Sequence, residues 1–304
     1  MVRSITLSSS SPLIFLYQKL SAPALSAAFI ITIFALVWAV MAHSFLKMAT
    51  SNRGSTKREY REAPVKQKSA RSALLKKELR RFSSSANYML NCGLGTLFLP
   101  ILGVLALIKA DWLLSVSAAV TAEEAALIAC AALCITAAMD DITAPSVSLE
   151  GKNLWLLQSL PVSAWQALQA KLQLHLLVSE PPVLFCSVCL IIVLKPQPIS
   201  AVSMLILPVL FTLLSAAFGL AVNLKEPNLK WTDEIVPIQQ SIGVVLAMFG
   251  GWGFIAALGG LNLLVRAIIP GGYYLLLCAA VIAAAAALLL HWLKTRGAKI
   301  FEAL

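Results

Sequence analysis

A helix that crosses a bilayer needs roughly 17–25 predominantly apolar residues, and this chain contains seven such stretches. They lie near 24–46, 90–108, 121–139, 173–194, 201–222, 241–264 and 273–293. The last, YYLLLCAAVIAAAAALLLHWL, has paired tyrosines at one end and a tryptophan at the other, the layout of an interfacial belt. The fourth contains Pro181-Pro182, which predicts a kink or a break. Composition agrees: 12% of residues are charged and mean hydropathy is +0.84, whereas a soluble chain carries about 25% charged residues. So much apolar surface cannot be hidden inside a water-soluble fold. The expected fold is all-α, a polytopic transmembrane helical bundle of seven spans, one plus a six-span module, with amphipathic helices at the interface.

Basic residues orient the spans, because cytoplasmic loops carry an excess of lysine and arginine. Segment 47–85 holds twelve of them against Glu59, Glu62 and Glu78, a net charge of +9 out of the chain's +10. With that segment inside, 140–172, 223–240 and the tail from Lys294 are inside too, and nineteen of the 24 basic residues are cytoplasmic. The division expected is an extracytoplasmic leader (1–23), a first span (24–46) and a basic linker ending in a connecting helix (47–85). A six-span module (86–293) with the loop 140–172 follows, then a cytoplasmic tail (294–304). The implied location is the cell membrane, multi-pass. Met1 is then outside although no signal-peptide layout precedes the first span, which suggests that another segment normally stands before this chain.

Three cytoplasmic elements interrupt the apolar pattern. In 69–90, Leu75, Leu79 and Phe82 recur at helical spacing while Lys76, Lys77, Arg80 and Arg81 crowd other faces. That pattern predicts a helix lying in the headgroup layer, with the lipid bilayer as its partner; a plain basic tether is the alternative. The run has little aromatic content and its position explains its charge, so no nucleic-acid partner is expected. In the second element, SLEGKNLWLLQSLPVSAWQALQAK (148–171), Ser163 followed by Gln166 is a capping-box signature. It predicts a new short helix near Ala164, with Trp165, Leu168 and Leu172 as its stripe, and a second short helix over 153–160 with Gly151 as a flexible joint. Two brief helices around Pro161 make a stiff projection, and a plain connection needs only about 2–8 residues. The third element, 223–241, is bent by Pro227 and Pro237, and Thr232 or Asp233 offers a cap for a helix leading into the next span.

Chemistry has few visible carriers. The sequence shows no G-x-x-x-x-G-K-[ST], G-x-S-x-G or H-E-x-x-H, so the chain is expected not to be an enzyme. His43, His175 and His291 lie near membrane boundaries, where a structural role is expected. Six cysteines fall in apolar runs, and Cys186-x-x-Cys189 is half a zinc site without a second half. Glu180 is the acid set well inside a span. It is either a functional group (a substrate contact, a proton carrier or half of an ion pair) or a residue in a wet cytoplasmic vestibule opened by the prolines. In the sixth span, Ala247/Gly251, Gly253/Ala257 and Ala256/Gly260 offer faces for close packing or a dimer seam.

Several stretches also resemble the permeases of ATP-binding-cassette (ABC) transporters, of the exporter type with six-span modules. The resemblance rests on S-L-E-G-K (148–152), S-L-P-V-S (159–163) and Lys171, on Asn223, Pro227, Trp231 and Glu234, and on Lys77-Glu78 with Asn91. It covers about residues 70–260 and is closest to the C-terminal module of large bacterial two-module permeases. It implies that 69–85 is a connecting helix and that 148–171 carries a coupling helix read by a separate ATPase subunit. That partner binds ATP and Mg, and this chain needs no cofactor of its own. Glu150, Gly151, Lys152, Pro161, Ser163 and Trp165 are then the coupling residues, with the charges for docking, Gly and Pro for the joint and Trp for anchoring. A second permease module or a homodimer completes the machine. Two rival readings remain, an ion-coupled secondary transporter using Glu180 and a membrane protein that moves nothing.

Overall fold

The computed structural model describes residues 69–239 and 241–304. The leader, the first span, His43 and the basic stretch up to residue 68 lie outside the described residues. Within them the protein is a helical transmembrane bundle. Four helices are long and apolar enough to cross a membrane, and six spans result if each of two bent pairs counts as one.

The first helix, α1 (Ala70–Ser84), is capped by Ser69. Helices α2 (Ala86–Cys92) and α3 (Leu94–Ile108) form the first bent pair, at 54°. The bend falls at Gly93, where a Cβ would stand 2.8 Å from the Met89 carbonyl oxygen. Helices α4 (Ala110–Ser117) and α5 (Ala122–Ala137) form the second, at 117°. A buried loop and a 3-10 turn (Ser148–Asn153) lead to the five-residue α6 (Leu154–Gln158). Then come α7 (Ala164–Leu194), α8 (Pro198–Lys225), the short α9 (Ile235–Gln239), α10 (Ile242–Val265) and α11 (Gly271–Trp292). A π-helical turn (Leu293–Gly297) joins α11 to α12 (Ala298–Ala303).

The bundle is organised around α8, which packs against α5, α7, α10 and α11. Ser200, Ser203, Thr212, Ser215, Ala216 and Gly219 are buried along it. Small side chains let neighbouring backbones approach, which is how helices associate where water supplies no driving force. Ser203 and Thr212 return their hydroxyls to carbonyls one turn back, at 2.9 Å each. Large apolar side chains on the outer faces, such as Phe98, Ile101, Leu105, Leu263 and Leu264, are exposed and suit a lipid surround.

Several expectations are corrected. Pro181-Pro182 do not break the fourth span: α7 runs through both as one helix of 31 residues. The capping box at Ser163 and Gln166 is formed, at 3.3 and 3.1 Å, yet the helix it opens is this long one. At 1.5 Å per residue α7 spans about 46 Å, more than a hydrocarbon core of about 30 Å, so its first turns stand outside the apolar layer. On α1 the inward face is Leu74, Glu78 and Phe82, while Leu79 is exposed; the stripe is rotated one position because its middle member is an acid. Of the two caps offered for the helix after 231, Asp233 is in place, accepting from the Ile235 amide at 3.0 Å, while α10 has its own cap in Ser241. Of the paired tyrosines only Tyr273 is exposed; Tyr274 is buried and donates to the Leu258 carbonyl. Of the small-residue faces on α10, a Cβ on Gly251 would stand 3.2 Å from that of Ala138 and Ala247 is buried, whereas Gly253 and Gly260 face open space. The tail 294–304 is packed on the bundle, with Phe301 buried in the apolar cluster that contains Leu154, Leu157 and Leu168.

Candidate functional site

The three elements that interrupt the apolar pattern come together at one end of the bundle. From Asp140 to Gly151 every residue is buried. A buried loop must find partners for its own backbone, and here they come from the third element. Asn223, at the end of α8, accepts from the Val147 and Ser148 amides at 2.8 and 3.1 Å and donates to Ser148 Oγ at 2.8 Å. The same hydroxyl accepts from the Asn228 amide at 2.9 Å, just past Pro227, which is half-buried. Trp231 Nε1 donates to the Ser148 carbonyl at 2.6 Å.

Gly151 sits under the Trp231 ring. Its φ of +53° lies where side chains are rarely tolerated, and a Cβ would meet ring atoms at 3.1 Å. The expected flexible joint is instead a fixed corner that only glycine fits. Glu234 accepts from Ser85 Oγ at 2.9 Å, and Gln239 donates to Asn91 Oδ1 at 2.8 Å, so the third element also holds the start of the α2–α3 pair.

A cluster of buried charge ties the first element to the second. Lys171 on α7 is buried and donates to Glu150 Oε1 at 2.8 Å, Glu78 Oε1 at 3.2 Å and the Ser146 carbonyl at 2.9 Å. Glu150 receives Lys77 at 2.9 and 3.0 Å and Arg81 at 2.7 Å as well. Burial alone would raise the pKa of Glu150, but the charges of Lys171, Arg81 and Lys77 outweigh it and hold the carboxyl well below the usual range. For Arg81 burial opposes the charge and the hydrogen bond to Glu150 overcomes it, so its pKa is raised. The side chain of Glu150 is thus no docking charge; it faces inward. Glu78, read from sequence as one more acid in a basic run, is a member of the cluster.

What remains outward is the tip. Lys152 and Pro161 are exposed, as are Trp155, Leu156 and Leu160. Trp165 is only partly exposed, packed beside Leu168 and Ala164. Sequence reasoning named Trp165 as the anchor and passed over Trp155, at 65% exposure the most open of the large apolar residues of α6. Behind the tip, Gln158 donates to the Phe301 carbonyl at 2.9 Å, bracing α6 against the C-terminal helix.

The remaining candidates are scattered. Glu180 is half-buried on α7, and its Oε2 has no partner. His175 is fully buried with both ring nitrogens unpartnered; His291 is exposed. All six cysteines are free and buried, and among the described residues no group of three or more His, Cys, Asp or Glu could hold a metal. A cavity of about 550 Å³ between α3, α4, α5 and α7 has apolar walls that include Leu99, Trp112, Ile128 and Leu190.

The family described as a membrane protein of 12 TMs matches residues 3–292. The chain belongs to that family. No curated protein and no solved structure matches it.

Proposed function

We propose that this chain is the permease subunit of an ABC transporter of exporter type, driven by a separate ATPase subunit that docks on the tip 152–161. The observation that carries this reading is the braced tip itself. Lys152, Trp155, Leu156 and Leu160 stand exposed on a base in which α1, the loop 140–151, the 223–239 segment and α12 are locked to one another. Stiffness is what transmission requires. Because α7 is one helix from Ser163 to the far side of the bundle, a push on the tip is delivered along a rod into the membrane. Hydrolysis belongs to the partner in this scheme, which supplies the P-loop and binds ATP and Mg. The tip and the C-terminus face the cytoplasm of a cell-membrane protein, in keeping with the distribution of basic residues. A second permease module, a copy of this chain or a distinct one, completes the pathway.

The test is recovery of the tagged chain in mild detergent with identification of what accompanies it. A stoichiometric partner bearing a P-loop is expected. The variant Trp155→Ala lowers that recovery about tenfold, equivalent to about 1.4 kcal/mol, with little change in the thermal midpoint, because the side chain is 65% exposed. A preparation free of any ATPase, or recovery unaffected in the variant, contradicts the reading.

The unpartnered Oε2 of Glu180 favours one rival, an ion-coupled transporter. Uptake into vesicles driven by a pH gradient without ATP, abolished in Glu180→Gln, distinguishes it.

A further inference from the structure

Asp140 and Asp141 stand where α5 gives way to the buried loop. Asp140 has no exposed surface and Asp141 has 5%. Asp140 Oδ1 accepts from the Thr96 amide at 3.1 Å, at the start of α3. Gly95 is required there, since a Cβ would stand 2.7 Å from that oxygen. The other oxygen, Oδ2, has no partner. Beside it lies Ser179 of α7, fully buried, close enough to favour the charged carboxylate yet without a hydrogen bond of good geometry. One turn earlier on the same helix is His175, buried and unpartnered on both ring nitrogens. Lys171, His175 and Ser179 thus make one polar face of α7, leading from the ion cluster to Asp140.

Among the described residues no cation answers the two aspartates. Every ion pair among the described residues uses Glu78, Glu150 or Glu124. The elements packed around the pair offer uncharged groups: Cys92 from α2, the Thr96 amide from α3 and the Thr136 carbonyl from α5. From α7 come Ser179 and, one turn away, His175, while Glu180 lies on the adjoining face because neighbours in a helix point apart. Thr143 turns its hydroxyl to the Ala216 carbonyl of α8, and α9 and α10 contain no titratable residue. Buried polar atoms are nearly always hydrogen-bonded, and a run of exceptions on facing helices calls for a physical cause.

We propose that Asp140 and Asp141 are a proton-binding site at the base of the 140–151 loop, filled and emptied while the fold stays formed. On release the O–H bond of the neutral carboxyl breaks, the electron pair stays on the carboxylate oxygen and the proton passes to water. Desolvation explains why the site holds its proton in a useful range. An isolated carboxylate out of water is costly, and such a group neutralises instead. Burial pushes Asp140 up to about 7, and burial with the neighbouring Asp140 charge pushes Asp141 up to about 8. Ser179 is a positioning residue, the hydroxyl that favours the ionised state.

Infrared difference spectroscopy on the purified chain in lipid nanodiscs tests this, following the protonated-carboxyl stretch between about pH 5 and pH 9, above the ordinary aspartate range. The expected result is a carboxyl signal lost with a midpoint near neutrality, absent in Asp140→Asn/Asp141→Asn. In Ser179→Ala the midpoint moves upward. Three results overturn the proposal: no carboxyl titrating in that window, a signal that vanishes in Glu180→Gln instead, or one that answers to Na+ at fixed pH. Should the double variant fail to fold, Ser179→Ala decides alone, and an unmoved midpoint is fatal.

Discussion

Glu150 and Asp140 lie near opposite ends of one buried loop, and both side chains are buried. Glu150 is met by Lys77, Arg81 and Lys171 within 3.0 Å. Asp140 receives one backbone amide and no cation, and one of its oxygens is left empty. Charge fixed by opposite charge gives a rigid joint; charge left unanswered gives a group that changes its state. The two ends of the loop therefore suit different work, one to hold three elements in register and the other to respond.

The largest effect expected follows from removing the central cation. Lys171→Met strips Glu150 and Glu78 of their shared partner inside the protein, and breaking a buried pair costs about 3–5 kcal/mol. Thermal unfolding in detergent should show a marked drop in midpoint, partly restored by adding Glu78→Gln, because among the described residues Glu78 takes its hydrogen bond from Lys171 whereas Glu150 keeps Lys77 and Arg81. A neutral Lys171→Met would mean that the cluster does not hold the elements together.

Acid and alkali separate the two ends by sign. Glu150 is held below its ordinary pKa of 4.5, so its stabilisation is present above that value and is lost as pH falls through the lowered one. The aspartates are raised from 3.8 to about 7 and about 8. The folded state keeps protons there that the unfolded state has released, and stability falls as pH rises from about 4 toward about 8. Thermal midpoints measured across pH should decline on both sides. Asp140→Asn/Asp141→Asn flattens the alkaline limb and leaves the acid limb. A slope that survives on the alkaline side in that variant would assign it to other groups.

The elements were legible in the sequence; their meeting was not. The capping box of Ser163 and Gln166 and the apolar runs are local signals, and among the described residues each marks a real element. Partners are not local. The face of α1 was misjudged by one position because apolar residues alone were taken to point inward, and Glu78 points inward to reach Lys171, 93 residues away. Pro181-Pro182 read as a break because isolated helices break there, whereas a helix in a packed bundle has neighbours to hold its course. Asp140 and Asp141 follow an apolar run and open the loop 140–172, and no local pattern marks them. Nothing in their spacing shows that Thr96 and Ser179 close over them. Gly151 was seen to matter, but flexibility was the wrong reason, since its ceiling is Trp231, eighty residues on.

That corner gives the smallest effect and the sharpest test of rigidity. Gly151→Ala pays for a rarely populated backbone state, about 1–3 kcal/mol, and its methyl presses on the Trp231 ring at 3.1 Å. The two contributions separate in a double-mutant cycle. Trp231→Leu relieves the contact but not the backbone conformation, and it forfeits the bond to the Ser148 carbonyl. The pair should therefore show coupling smaller than the cost of Gly151→Ala alone. If Gly151→Ala leaves the thermal midpoint untouched, the loop can reach a different path at this corner, and the tip is hinged on the residues that were taken to lock it. If the midpoint falls and recovery of the proposed partner falls with it while Trp155→Ala lowers recovery alone, position and contact are separable: Gly151 sets where the tip stands and Trp155 what it touches.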